Sequence, residues 1–208
     1  VDLAPDFVTK IRNYRSHGTV AKVNLALSGL PSFTGSQGAD ALSGRIHIGP
    51  ELDYLERAFD HAKYGEFSAE PWLDVSIPSI LDPGLAPSRA HVMSVYVHVA
   101  PFALRGTTWD ASRGALLQAV FRTLDRHAPG IERLIVAAQV ITPAELERDH
   151  GFFGGHIFHG ELALDQLFMM RPVLGPGRYR APINGLYLCS AGTHPGGFLT
   201  GACGRNAA

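Results

Sequence analysis

Val20-Ala-Lys-Val-Asn-Leu-Ala-Leu27 sends Ala21, Val23, Leu25 and Leu27 to one side of an extended chain and Val20, Lys22 and Asn24 to the other. A period of two, apolar on one side and polar on the other, is the pattern of a strand with one covered face. The most apolar window of the sequence, Val92 to Leu104, is rich in β-branched residues and reads as a buried strand, and His91 to Val99 is the strongest strand of the chain. Shorter strand candidates occupy Arg45 to Ile48, Trp72 to Ile77 and Leu134 to Ile141. Helical spacing falls between them. Asp6 to Tyr14 places Phe7, Ile11 and Tyr14 on one stripe. Pro50 opens a helix to about Tyr64 with Leu52, Leu55, Phe59 and Ala62 inward. Asp110 to His127 turns Ala111, Leu116, Ala119, Val120 and Leu124 inward. Thr142-Pro-Ala-Glu145 is a capping box, so a short helix starts there and ends near His150-Gly151. A further helix is expected from Leu162 to Met169, stopped by Pro172. Ser32 to Gly44 and Asp82 to Pro87 are turn-rich.

Strands and helices alternate irregularly, and several strands are separated by turns too short for a parallel crossover. The expected class is α+β: a mixed, largely antiparallel sheet with helices packed on one face.

Bulk properties exclude several functions. With 18 basic and 19 acidic residues in 208, no basic run tracks a phosphate backbone, so no nucleic-acid partner is expected. No apolar stretch reaches the roughly 18 to 20 residues of a membrane span. Two cysteines, Cys189 and Cys203, make no disulfide framework, which favours a reducing cytoplasm. No secretory signal opens the chain. A start at Val1 and an end at Ala207-Ala208 within a helical pattern suggest a piece of a longer protein.

The chemistry-bearing stretch is Gly185-Leu-Tyr-Leu-Cys-Ser190-Ala-Gly192-Thr-His-Pro-Gly196-Gly197-Phe-Leu-Thr-Gly201-Ala-Cys-Gly204-Arg-Asn-Ala-Ala208. It reads as a strand over Leu186 to Cys189, a loop with three glycines, and a helix over Thr200 to Ala208. Glycines let backbone approach a ligand closely and take positive φ, and a helix start offers unpaired amides to an electron-rich group.

This string resembles the C-terminal signature of phytoene desaturase-like FAD-dependent oxidoreductases, a branch that includes pyridine-nucleotide-disulfide-oxidoreductase-domain-2-like proteins. Ile157-Phe-His-Gly-Glu161, Leu164-Asp-Gln-Leu167, Arg171-Pro172, Ala21-Lys-Val-Asn-Leu-Ala-Leu27 and Leu30-Pro-Ser-Phe33 resemble that branch as well. The resemblance implies FAD as cofactor, with Ser190, Gly192, Thr193, His194, Gly196, Gly197 and Gly201 contacting it. It implies a substrate-binding domain over residues 1–184 and, over 185–208, a strand, loop and helix start that complete an FAD domain. The reaction implied is desaturation or oxidation by hydride transfer from an apolar or amine-type substrate to flavin. Three residues depart from the pattern: Ser190 and Phe198 replace glycines, and Cys203 stands where proline is common. No G-x-G-x-x-G follows a strand, so the N-terminal dinucleotide-binding domain is absent from this chain. The piece alone is therefore expected to be inactive and to bind FAD weakly, and the surface left uncovered is a candidate homodimer interface. No catalytic residue is assigned.

Other constellations are weaker. His150, His156 and His159 lie within ten residues, but Gly151, Gly154 and Gly155 interrupt any helix that would converge them, and no H-E-x-x-H occurs, so no metal site is expected. His159 is a packing or substrate-side residue, and His47, His91 and His98 read as structural strand histidines. No G-x-S-x-G elbow supports a hydrolase. The alternative to the oxidoreductase is a non-catalytic ligand- or partner-binding module.

Overall fold

A computed structural model describes residues 3–35, 38–173, 175, 179–197 and 200–208. The chain divides into two compact units, residues 19–145 and residues 1–18 with 146–208.

In the first of these, β4 (His91–His98) pairs antiparallel along its whole length with β1 (Val20–Leu27), from Val20 opposite His98 to Leu27 opposite His91. β2 (Ile46–Ile48), β3 (Leu73–Ser76) and β5 (Ile135–Ile141) complete a five-stranded sheet in the order β2-β3-β4-β1-β5, and every pairing is antiparallel. The alternation in β1 has the expected consequence: Ala21, Val23, Leu25 and Leu27 are buried, joined by Met93, Val95 and Val97 of β4 and Leu73 and Val75 of β3. Leu116, Val120 and Leu124 of helix α3 (Trp109–His127) belong to the same core. At about 1.5–3 kcal/mol per fully buried large apolar side chain, this layer is the main stabilising feature of the unit.

Thr108 caps α3 by accepting the Ala111 N–H at 3.3 Å, and Asp110 and Arg126 sit at the favourable ends of the helix dipole. Ala111 is exposed, contrary to the expected inward stripe. The buried face instead starts on Trp109 and Ser112. Helix α2 (Leu52–Lys63) is rotated in the same way. Leu52 and Phe59 are exposed, Ala58 is buried, and the Tyr54 hydroxyl donates to Pro71 O at 3.0 Å. The hydroxyl bond ties down the tyrosine side of the helix and leaves Leu52 and Phe59 outside it.

The other unit starts with α1 (Pro5–Arg12) and is otherwise built mostly from turns. Helix α4 (Pro143–His150) enters it, opened by the expected capping box: Glu145 accepts from Thr142 N–H at 2.9 Å and Thr142 Oγ1 accepts from Glu145 N–H at 3.3 Å. Residues 14–18 are gripped by 154–166. Gly18 N–H donates to Gly154 O at 2.7 Å, Glu161 N–H to Arg15 O at 3.0 Å, and Arg15 pairs with Glu161 and Asp165. A side chain at Gly154 would collide with Ser16 O, and one at Gly160 with the Tyr14 ring.

Two elements differ from expectation here. The helix over Leu162 to Met169 is replaced by separate 3-10 turns at Leu164–Gln166 and Phe168–Met170, because the carbonyls of Glu161 and Gln166 accept from a buried guanidinium instead of from helix amides. The strand at Leu186 to Cys189 is an isolated bridge between Tyr187 and Arg180, with Leu186, Tyr187 and Leu188 exposed. Residues 179–181 are its only strand-like neighbours among the described residues. The last helix, α5 (Ala202–Ala207), is shorter than expected and starts after Gly201 in the left-handed region. Among the described residues no helix is long and apolar enough to cross a membrane.

Candidate functional site

The glycine loop is organised by Arg171. This side chain is fully buried and has no carboxylate beside it among the described residues. Its guanidinium donates to five carbonyls: Ala191 at 2.9 Å, Glu161 at 3.0 Å, Gln166 at 3.3 Å, Phe158 at 2.6 Å and Gly160 at 3.1 Å. A buried cation is tolerated only when its donors are matched, and here carbonyl dipoles do the matching. One side chain thereby fastens the loop at 191 to the turns at 158–166. Gly196 lies against the arginine stem: a Cβ there would come within 2.6 Å of Cδ, and its φ of +79° is left-handed.

Around this anchor the expected cofactor residues come together. Ser190 and Thr193 form a tight turn, with Thr193 N–H and Oγ1 both donating to Ser190 O at 2.9 and 2.8 Å. Ser190 Oγ accepts from Gly192 N–H at 3.2 Å, and Gly192 packs on His159. Thr193 is buried, and its carbonyl accepts from the thiol of Cys203. His194 O accepts from the Tyr179 hydroxyl at 2.8 Å, which in turn accepts from Asn206 of α5 at 2.9 Å. Gly197 is buried and Gly201 exposed, both with positive φ. The departure at Phe198 lies outside the described residues.

Among the described residues one buried side-chain polar atom has no hydrogen-bond partner, His194 Nδ1. Such an atom costs roughly 1–3 kcal/mol unless a further group meets it. An orphaned ring nitrogen beside glycines shaped for close approach suits a polar cofactor such as FAD.

His156 and His159 do not converge on a third ligand. His159 stacks on Phe152 at 4.8 Å between centroids, and His156 Nδ1 accepts from Phe158 N–H. Burial, then the Arg171 charge, hold both imidazoles below their ordinary pKa, so they are neutral at pH 7. Among the described residues no group of three or more His, Cys, Asp and Glu is arranged to hold a metal ion. Both cysteines are free; Cys203 is buried and Cys189 exposed.

A second polar surface, in the sheet unit, was not singled out by sequence. The sheet face opposite α3 carries Lys22, Asn24, Ser94, Tyr96, His98, Asp74 and Gln139 in register. Asp74 accepts from His47 Nδ1 and His98 Nε2, each at 2.9 Å, and Trp72 stacks on His98 at 4.2 Å. Burial opposes ionisation of Asp74, but the two imidazole hydrogen bonds outweigh it and lower its pKa. Burial lowers that of His98 despite the carboxylate. With Asp74 ionised, His47 carries its proton on Nδ1. The Trp72 indole N–H, 3.2 Å from the same nitrogen, then faces a donor, so these two contacts alternate rather than coexist. The signal that could have found this face was the alternation itself, which puts Lys22 and Asn24 together on the side away from the core.

No family model matches the chain. Pyridine nucleotide-disulfide oxidoreductase domain-containing protein 2 of Rattus norvegicus is 40% identical over 211 residues, covering 97% of this chain and 36% of that protein. The chain is homologous to the C-terminal part of that protein. The Mus musculus protein of the same name is equally similar. Phytoene desaturase (lycopene-forming) of Pantoea ananas is 27% identical over 76% of the chain and 31% of its own length. The chain thus spans about a third of the length of the curated relatives it matches.

Proposed function

We propose that this chain is the substrate-side part of an FAD-dependent oxidoreductase that transfers hydride from an apolar or amine-type substrate to flavin. In this reading residues 1–184 serve substrate binding and 185–208 complete a flavin site whose other wall is a dinucleotide-binding domain. The observation that carries it is the Nδ1 of His194, unpartnered among the described residues, inside a glycine loop pinned by Arg171. Homology to an oxidoreductase and, more weakly, to a phytoene desaturase supports it; phytoene is an apolar polyene.

Ser190, Gly192, Thr193, His194, Gly196, Gly197 and Gly201 are the residues that would hold FAD. Bound flavin supplies the hydride acceptor. The contribution of the chain is positional: Arg171 fixes the loop, the positive-φ glycines bring backbone close, and His194 offers one ring nitrogen. Free cysteines at 189 and 203 agree with the cytoplasmic setting included in the proposal.

The test is flavin content after gel filtration, for the 208-residue chain mixed with FAD and for a longer protein in which a dinucleotide-binding domain precedes it. The expected result is little flavin on the chain alone and about one per molecule on the longer protein. Stoichiometric flavin on the chain alone would overturn the half-site, and a longer protein free of flavin would overturn the oxidoreductase.

A further inference from the structure

Lys22 lies on the sheet face opposite α3 with a charge that no described residue on that face neutralises. Its ammonium donates to Ser94 Oγ and sits over the Tyr96 ring, 4.3 Å from the centroid. It makes no ion pair among the described residues. The nearest carboxylate in the register is Asp74, paired opposite Tyr96 on the far side of β4, and His47 and His98 already engage it. Lys22 is half-buried, and burial lowers its pKa. A partly desolvated ammonium with only neutral neighbours is an unfavourable arrangement for a purely structural residue, which would ordinarily extend its charge into water.

The surroundings define what would relieve it. Asn24 and Gln139 bond to each other at 3.1 Å beside it, and Val20, Ile141 and the Tyr96 ring are partly exposed apolar neighbours. The site therefore pairs one uncompensated cation with apolar flanks.

We propose that this sheet face binds a small molecule with an apolar body and a carboxylate end, and that the Lys22 ammonium receives the carboxylate. Ser94 and Tyr96 hold the ammonium in place, and Val20 and Ile141 contact the body. Charge complementarity favours an anionic ligand over a neutral one of the same length. A cationic ligand is repelled, so of the two substrate classes proposed above the site takes the apolar one and not a protonated amine. The inference rests on the reading of residues 1–184 as a substrate-binding domain and names the class of its ligand.

The test uses the 208-residue chain, without flavin, so its failure is separate from failure of the flavin reading. Decanoate and 1-decanol are titrated below their aggregation limits by calorimetry, with amide chemical shifts recorded on the same samples. Decanoate is expected to bind at least tenfold more tightly than 1-decanol, with shifts concentrated in β1, β4 and β5. Lys22→Met should make the two ligands equivalent, and Lys22→Arg should keep the preference, which excludes a folding defect at position 22. Equal affinities in the unmodified chain, a preference that survives Lys22→Met, or shifts located away from these strands would each overturn the proposal.

Discussion

Among the described residues Arg171 has five carbonyl acceptors and no carboxylate, so removing its head strands several buried acceptors at once. Each unmet buried acceptor costs roughly 1–3 kcal/mol before relaxation. Arg171→Met is expected to destabilise residues 1–18 and 146–208 by about 3 kcal/mol or more, read by urea denaturation, and Arg171→Lys to recover only part of it. Stability within about 0.5 kcal/mol of the unmodified protein would contradict this role. Gly196→Ala should cost about 1–3 kcal/mol, since it places a Cβ against the arginine stem at positive φ. The glycine was legible as a position of close approach, but its neighbour was not. Arg171-Pro172 stood out only as part of the resemblance, and the backbone carbonyls that bury this arginine carry no signature in a sequence.

At the scale of elements, strands were more legible than turns. β1 spans Val20–Leu27 as its alternation requires, and β4 and β5 fall within one residue of their expected bounds, because a half-covered sheet imposes a period of two. The capping box was legible because its chemistry is local. Thr142→Ala should cost about 1 kcal/mol by denaturation, since the threonine is buried and bonded to Glu145. Leu116→Ala, in the core stripe of α3, should cost about 2–5 kcal/mol. In α2 the apolar stripe was visible, yet its rotation depends on the distant bond from Tyr54 to Pro71. Residues 186–189 have strand composition, but a strand also needs a partner, and one bridge to Arg180 is all that the described residues provide.

For the whole molecule, pH tests the electrostatics. His98, His156 and His159 have folded pKa values below the ordinary imidazole value, with burial the first cause for each. The unfolded chain therefore binds more protons as pH falls through about 6.5, and stability declines from there downward. Asp74 and Glu145 also lie below the ordinary carboxylate range, where hydrogen bonds overcome burial. Their stabilisation is present at neutral pH and is lost below about pH 4. Denaturation midpoints should fall between pH 7 and 5 and again below 4, and a level profile from 7 to 5 would contradict the buried neutral histidines. In the proposed function the loop containing Ser190 to Gly197 and Gly201 is one wall of a flavin site. Bound-flavin absorbance of the longer protein after gel filtration, unmodified and with His194→Ala, tests it most directly, with the exposed Leu164→Ala as control. The predicted result is at least a tenfold loss of retained flavin for His194→Ala and none for Leu164→Ala, with unchanged circular dichroism in both. Full flavin retention by His194→Ala would contradict the assignment.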